Sequence, residues 1–206
     1  MAEENNKFYG NKQFYFCGEL KTDENLFKTT DGKNYLRLNL PLYDGESTVY
    51  CESFTFGIRD YIYGNLNGKW SKTPWQERNS SKVLKSMRFS DKFNYEGYEF
   101  SNNYDLIDAF KRDIEEGKIK KGDKLNVNGI VEYQFYNDEV QKHFVIKSIK
   151  KAEPTDKPHL TLITEVLVEP NAVKEVENGL EIDVLMLEYM KLDGESKKYP
   201  RLIEEK

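Results

Sequence analysis

Histidine and cysteine are scarce in this 206-residue chain, which contains only His143, His159, Cys17 and Cys51. Neither histidine belongs to a Cys/His cluster of zinc-ligand spacing, so no zinc site is expected. Two cysteines, each inside a strand-like pattern, exclude a disulfide framework and predict reduced, buried thiols in an intracellular protein. No apolar run approaches the ~20 residues that span a bilayer, which excludes a transmembrane helix. Met1 to Lys7 is acidic and Asn-rich without an apolar segment, so no secretory signal is expected and the cytoplasm is the predicted location. A Gly-rich phosphate loop and a Ser/His/Asp or Cys/His nucleophile arrangement are missing too. Net positive charge is also lacking, since 36 acidic residues outnumber 31 basic ones.

The sequence is instead rich in charge and rings, with 33% charged and 14% aromatic residues beside 38% hydrophobic ones. That balance describes a soluble globular protein, and the length allows one large or two small domains. The charge is unevenly placed. From Ile58 to Phe93 eight basic residues face three acidic ones, whereas from Glu153 onward thirteen acidic residues face seven basic ones. The two regions are chemically specialised.

The stretch Lys33 to Gly57 reads as two strands around Asp44-Gly45. Leu36, Leu38, Leu40 and Leu42 alternate with Tyr35, Arg37, Asn39 and Pro41, the period of a strand with one buried face. With Asp44 and Gly45 as a two-residue turn, Tyr43 pairs with Glu46, Leu40 with Val49 and Leu38 with Cys51. The other face then sets Tyr35 against Phe54, Arg37 against Glu52 and Asn39 against Tyr50, and a four-residue loop is expected to keep the same pairing. Rings beside a cation on an open sheet face suit nucleic acid, because every base offers a π-face and every phosphate a charge. Cross-strand aromatic pairs also simply stabilise sheets.

Ahead of this hairpin, Lys12 to Lys21 predicts a first strand with Gly18 at a bend. Behind it, residues 58–103 break the strand pattern and interleave Tyr61, Tyr63, Trp70, Trp75, Phe89 and Phe93 with basic residues. So long a connection is functional or disordered, and its rings argue against disorder. A helix is predicted from Tyr104 to Glu116, capped by Asn103 and stopped by Gly117. Two further strands follow, turning at Asn137-Asp138, with Phe135 opposite Val140, Val131 opposite Phe144, and Tyr133 on the apolar face. Ala152 to Pro158 reads as a linker, Leu160 to Val168 and Leu180 to Tyr189 as strands, and Asp193-Gly194 as a turn. Five strands with a helix between the third and fourth predict a mainly β protein built on a five-stranded Greek-key barrel.

Cys17-Gly18-Glu19-Leu20 with Asp23-Glu24, then Gly32-Lys33, Leu36-Arg37-Leu38-Asn39-Leu40 and Cys51-Glu52-Ser53-Phe54-Thr55-Phe56-Gly57, resembles the opening half of a bacterial or phage single-stranded DNA-binding protein of the OB-fold type. Lys121-Gly122-Asp123-Lys124-Leu125-Asn126-Val127-Asn128-Gly129 resembles that family's entry to its fourth strand. The resemblance covers most of residues 12–57 and 119–150. It implies an OB-fold domain over 1–152, carrying the 58–103 insertion, and single-stranded DNA bound across the barrel's outer face with no cofactor and no reaction. Replication, recombination or repair would be the setting, with a phage-encoded protein in the host cytoplasm as the expected source. By analogy Tyr35, Arg37, Tyr50 and Phe54 bind the strand.

In the insertion, Trp70 and Trp75 are expected to stack on bases and Lys72, Lys82, Lys85 and Arg88 to neutralise phosphates. The alternative for the tryptophans is that they anchor the loop, since Trp is usually buried. Residues 153–206 form an acidic β-rich extension, and about fifty residues are too few for an independent core. They are expected to pack on the barrel, pair with a second copy, or both. The end of the chain, Leu202 to Lys206, departs from the acidic tail ending in Phe through which bacterial members recruit partners. The acidic extension as a whole is then the expected contact for replication or recombination proteins. Competing readings are an OB-type protein-interaction module, an RNA-binding OB-fold protein, and a metal-dependent nuclease using Asp183, Glu195 and Lys197.

Overall fold

The computed structural model describes Gly10, residues 12–30, 33–136, 139–177, 179–192, Gly194 and residues 196–205. It is mainly β. In order come β1 (Lys12–Leu20), β2 (Phe27–Thr30), β3 (Lys33–Tyr43), β4 (Thr48–Phe56), β5 (Tyr61–Leu66) and β6 (Lys69–Pro74). Then follow α1 (Ser81–Ser86), β7 (Phe93–Tyr95), β8 (Tyr98–Phe100), α2 (Asn103–Glu115), β9 (Lys124–Tyr136) and β10 (Glu139–Lys151). The chain continues through β11 (His159–Thr164), β12 (Leu167–Val176), β13 (Gly179–Met190) and β14 (Tyr199–Glu205).

The chain divides into two compact units, one made of 14–130 with 144–161 and the other of 1–13, 131–143 and 162–206. None of the four boundaries, after residues 13, 130, 143 and 161, falls within the linker expected from Ala152 to Pro158. β9 and β10 each contribute to both units.

In the first unit, pairing runs β1 to β3 to β4 to β10, and β9 pairs with both β10 and β1, so five strands close on themselves. The β4–β10 partnership is parallel, with Phe144 beside Cys51. Closure removes the exposed edges that an open sheet of this size would carry. Inside the ring lie Phe14, Phe16, Leu20, Leu38, Leu40, Leu42, Leu125 and Ile146, all buried. Gly129 lets β9 approach β10, because a Cβ there would sit 1.9 Å from the Val145 carbonyl oxygen.

The β3–β4 hairpin keeps its predicted faces but not its predicted register. Tyr43 pairs with Thr48, Leu40 with Cys51, Leu38 with Ser53, Arg37 with Phe54 and Tyr35 with Phe56. The cause is a four-residue loop. Asp44 Oδ1 accepts from the Glu46 and Ser47 amides at 2.9 and 2.8 Å, and the Asp44 amide donates to the Ser47 carbonyl at 3.2 Å. Two extra loop residues slide the partners by two, and a slide of two leaves every side chain on its original face. These amide hydrogen bonds, Ser47 first, hold the Asp44 carboxyl below its ordinary range.

The helix begins one residue earlier than predicted, with Asn102 rather than Asn103 as its cap, accepting from the Asp105 amide at 3.2 Å. Its face of Leu106, Ile107 and Phe110 is buried, and Phe110 meets Phe27 and Tyr95, each with ring centroids 6.0 Å apart. Residues 58–103 are ordered into two hairpins and a short helix rather than a structureless loop. Asn67-Gly68 and Glu96-Gly97, at positive φ, turn them, as tight hairpins require.

The second unit holds the sheet β12–β13–β14. Met186, Met190, Ile203 and Ala172 are buried there. Lys12 Nζ donates to Glu188 and to the Leu187 carbonyl, both at 2.8 Å, and the buried Tyr133 hydroxyl reaches the Met186 sulfur at 3.8 Å. Tyr133 is core, as its apolar-face position predicts. The expected strand 160–168 is instead divided between β11 and β12, and β14 adds a strand that the sequence pattern does not predict. The turns expected at Asn137-Asp138 and at Asp193 lie outside the described residues.

Candidate nucleic-acid interface

The outer face of β3–β4 is built by alternation. Arg37 and Asn39, between buried leucines, come out beside Tyr50, Glu52, Phe54 and Phe56, whereas Pro41, between Leu40 and Leu42, is buried. Tyr50 is 59% exposed and Phe54 45%. Phe54 and Phe56 meet edge to face at 5.1 Å, and the Arg59 guanidinium lies 4.5 Å over the Phe56 ring. Arg37 forms an ion pair with Glu52, its diagonal neighbour, so its charge is partly balanced. Of Tyr35 only the backbone is described, opposite Phe56.

Beyond Arg59 the chain enters the β5–β6 hairpin. Tyr61 pairs with Pro74, Tyr63 with Lys72 and Asn65 with Trp70, which places two tyrosines, a tryptophan and a lysine on one face. Trp70 is 76% exposed. The Lys72 ammonium sits 3.6 Å above the Tyr61 ring, a contact worth roughly 0.5–1 kcal/mol at an exposed site.

The hairpin turn is tied to α1, since the Asn67 amide donates to the Ser86 carbonyl at 2.8 Å and Leu66 bridges to Met87. Ser80 caps this one-turn helix and Val83 buries under it, which leaves Lys82 and Lys85 exposed. Arg88 is extended, so alternation past the Leu66–Met87 bridge turns it to the side of Asn65 and Trp70. Phe89, next in the chain, is 86% exposed.

Trp75 corrects the expectation of a stacking ring. It is only 9% exposed, packed edge to face on Tyr104 at 5.4 Å, with the Arg78 guanidinium 4.1 Å over its ring. Pro74 and the 3-10 turn Trp75–Glu77 drive it inward, so it anchors the insertion. Burial, the largest influence, raises the Tyr104 phenol.

Sequence reasoning singles out Tyr35, Arg37, Tyr50, Phe54, Trp70, Lys72, Trp75, Lys82, Lys85 and Arg88, and does not select Phe56, Arg59, Tyr61, Tyr63 or Phe89 as contacts. The Asn67-Gly68 turn is the signal that could have found the tyrosines, because counting back from it sets Tyr61 and Tyr63 on the Trp70 face.

Both thiols are buried and free. Burial pushes Cys51 up to about 12 and also raises Cys17, which feels the Asp156 charge as well. Asp183, the nuclease candidate, accepts from Lys174 at 2.6 Å, and Glu195 lies outside the described residues. Among the described residues there is no cluster of three or more His, Cys, Asp or Glu, and no helix long and apolar enough to cross a membrane.

No family model matches the chain, and no curated protein matches it. Among solved structures it is similar to a deletion mutant of the single-stranded DNA-binding protein from Thermus aquaticus, at 12% identity and a TM-score of 0.42, over 95% of this chain and 75% of that one.

Proposed function

We propose that the protein is an OB-fold module that holds single-stranded DNA without a reaction, most of its contacts being tolerant of sequence. One observation carries this reading. Exposed rings on β4 (Tyr50, Phe54, Phe56) continue through Arg59 into the exposed Tyr61, Tyr63, Trp70 and Lys72 of the β5–β6 hairpin. Bases stack on such rings for ~1–3 kcal/mol each, and the cations of α1 and Arg88 accompany the phosphates. The five-strand closure, with β4 and β10 parallel, is the pairing expected of an OB barrel. Replication, recombination or repair is the proposed setting, with the unit of 14–130 and 144–161, which carries the 58–103 insertion, as the binding part.

Titration with oligo-dT tests this. Tryptophan emission is expected to fall on binding, through Trp70, and the affinity to drop steeply as salt rises. Replacing Lys82, Lys85 and Arg88 by Gln should reduce the salt slope by up to about 0.7 for each cation removed from a phosphate. Absence of quenching and of any mobility shift at low salt sinks the proposal, and equal competition by RNA moves it to an RNA-binding role.

A second reading is a module that binds a protein partner, such as a replication or recombination protein, through the C-terminal strands. Val173, Leu180 and Ile182 favour it, because they share the exposed apolar side of the β12–β13 hairpin tip. Pull-down with a variant carrying Ser at these three positions separates that role from DNA binding.

A further inference from the structure

The connection from β1 to β2 borders an open cleft of about 420 Å³ beside Tyr50, lined by Lys21, Thr22, Glu24, Asn39, Thr48 and Tyr50 among others. The connection is pinned at both ends to β3. Lys21 donates its amide to the Pro41 carbonyl at 3.1 Å, and Asn39 donates its amide to the Leu26 carbonyl at 2.9 Å. Between those anchors the Glu24 amide donates to Thr22 Oγ1 at 3.0 Å, the Lys121 amide donates to Asp23 Oδ2 at 3.2 Å, and Asn25 takes a left-handed φ of 57°. A loop held at so many points is shaped before any ligand arrives, and preorganisation lowers the ordering cost of binding.

The lining does not match a plain stacking platform. Tyr50 offers a ring, but around it stand a carboxylate, two carboxamides, two hydroxyls and the Lys21 ammonium, groups that recognise the edge of a base rather than its face. A carboxylate only accepts hydrogen bonds. It pairs with the exocyclic amino group of cytosine and opposes the carbonyl oxygens of thymine, and the Asn39 amide supplies both a donor and an acceptor for what remains of the edge.

The geometry points to a single-nucleotide pocket that takes one amino-bearing base, cytosine in preference to thymine, with Tyr50 stacked on it and Glu24 and Asn39 reading its edge. This rests on the proposed nucleic-acid binding and goes beyond it, adding a base preference at one position of an otherwise tolerant path.

The test compares oligo-dC with oligo-dT of equal length by fluorescence anisotropy on the full chain, since these pyrimidines differ at the group Glu24 would meet. The wild type should prefer oligo-dC by about tenfold, as a base-edge contact of this kind allows. Glu24→Gln and Asn39→Ala should each bring the ratio of oligo-dC to oligo-dT affinity, measured on the same variant, to within about twofold. Glu24 is exposed, so E24Q keeps the fold, and circular dichroism checks N39A. Equal binding of both oligomers by the wild type, or an unchanged ratio in both variants, overturns the pocket and leaves general binding standing. Failure to bind either oligomer overturns both.

Discussion

Arg78 and Asp105 form a two-pronged ion pair, Nε to Oδ2 at 2.9 Å and Nη2 to Oδ1 at 2.7 Å, that fastens the insertion to the first turn of α2. The same guanidinium covers Trp75 and donates to the Trp75 carbonyl at 2.8 Å, while Asn79 and Asn102 complete the carboxylate's partners at 2.8 and 3.0 Å. The hairpin that carries Trp70 is therefore held from below by a polar cluster.

Removing Arg78 leaves Asp105 short of its fork and uncovers Trp75. Arg78→Ala is expected to lower stability by about 3 kcal/mol, whereas Arg78→Lys, which keeps the charge but not the planar fork, should cost about 1 kcal/mol. Urea melts give both numbers, and equal costs for the two variants would show that the fork geometry is unimportant.

The two tryptophans separate function from stability. Trp70→Ala should weaken oligonucleotide binding by roughly 5- to 150-fold, the loss of one stacked base, without moving the melt. Trp75→Ala should cost about 3–5 kcal/mol of stability instead. Affinity and urea midpoint measured on both proteins decide it, and a reversed pattern would refute the assignment.

Gly129→Ala sets a methyl group 1.9 Å from the Val145 carbonyl oxygen, and backbone cannot yield as a flexible side chain does. A loss of about 3 kcal/mol is expected, with hydrogen exchange accelerating along β9 and β10. Native-like exchange would mean the strands are not so close.

The Tyr95 hydroxyl donates to Asp113 Oδ2 at 2.6 Å, and Lys118 Nζ donates to Oδ1 at 3.0 Å. Burial, followed by that bond, raises the Tyr95 phenol above its ordinary value. Burial alone would raise Asp113 too, but the bonds from Tyr95 and Lys118 outweigh it and hold the carboxyl down. The raised phenol contributes stability that is complete below its unfolded value of about 10 and fades above it, and the lowered carboxyl contributes stability that is complete above about 4 and fades below it. Tyr95→Phe should flatten both limbs of a plot of urea midpoint against pH from about 3 to about 11. If both limbs persist unchanged, other groups drive them.

Local patterning alone determined the buried faces. Leucines at every second position of 36–42 and apolar residues at helical spacing in 106–110 state which side meets the core, because side-chain direction follows the backbone period regardless of partners. The Asp44 turn, the Gly117 stop and the inward Tyr133 were legible for the same reason. The insertion was not, since YIYGNL and KWSKTP lack apolar alternation and their strands exist by pairing with each other across Asn67-Gly68.

Tertiary structure decided what distance along the chain conceals. It brought Arg78 across to Asp105 so that Trp75 turned inward while Trp70 stayed out, and set 21–26 against the β3–β4 hairpin beside Tyr50 to make a cleft. Each depends on partners far apart in sequence, whose meeting is fixed by packing and backbone hydrogen bonds that no local pattern encodes.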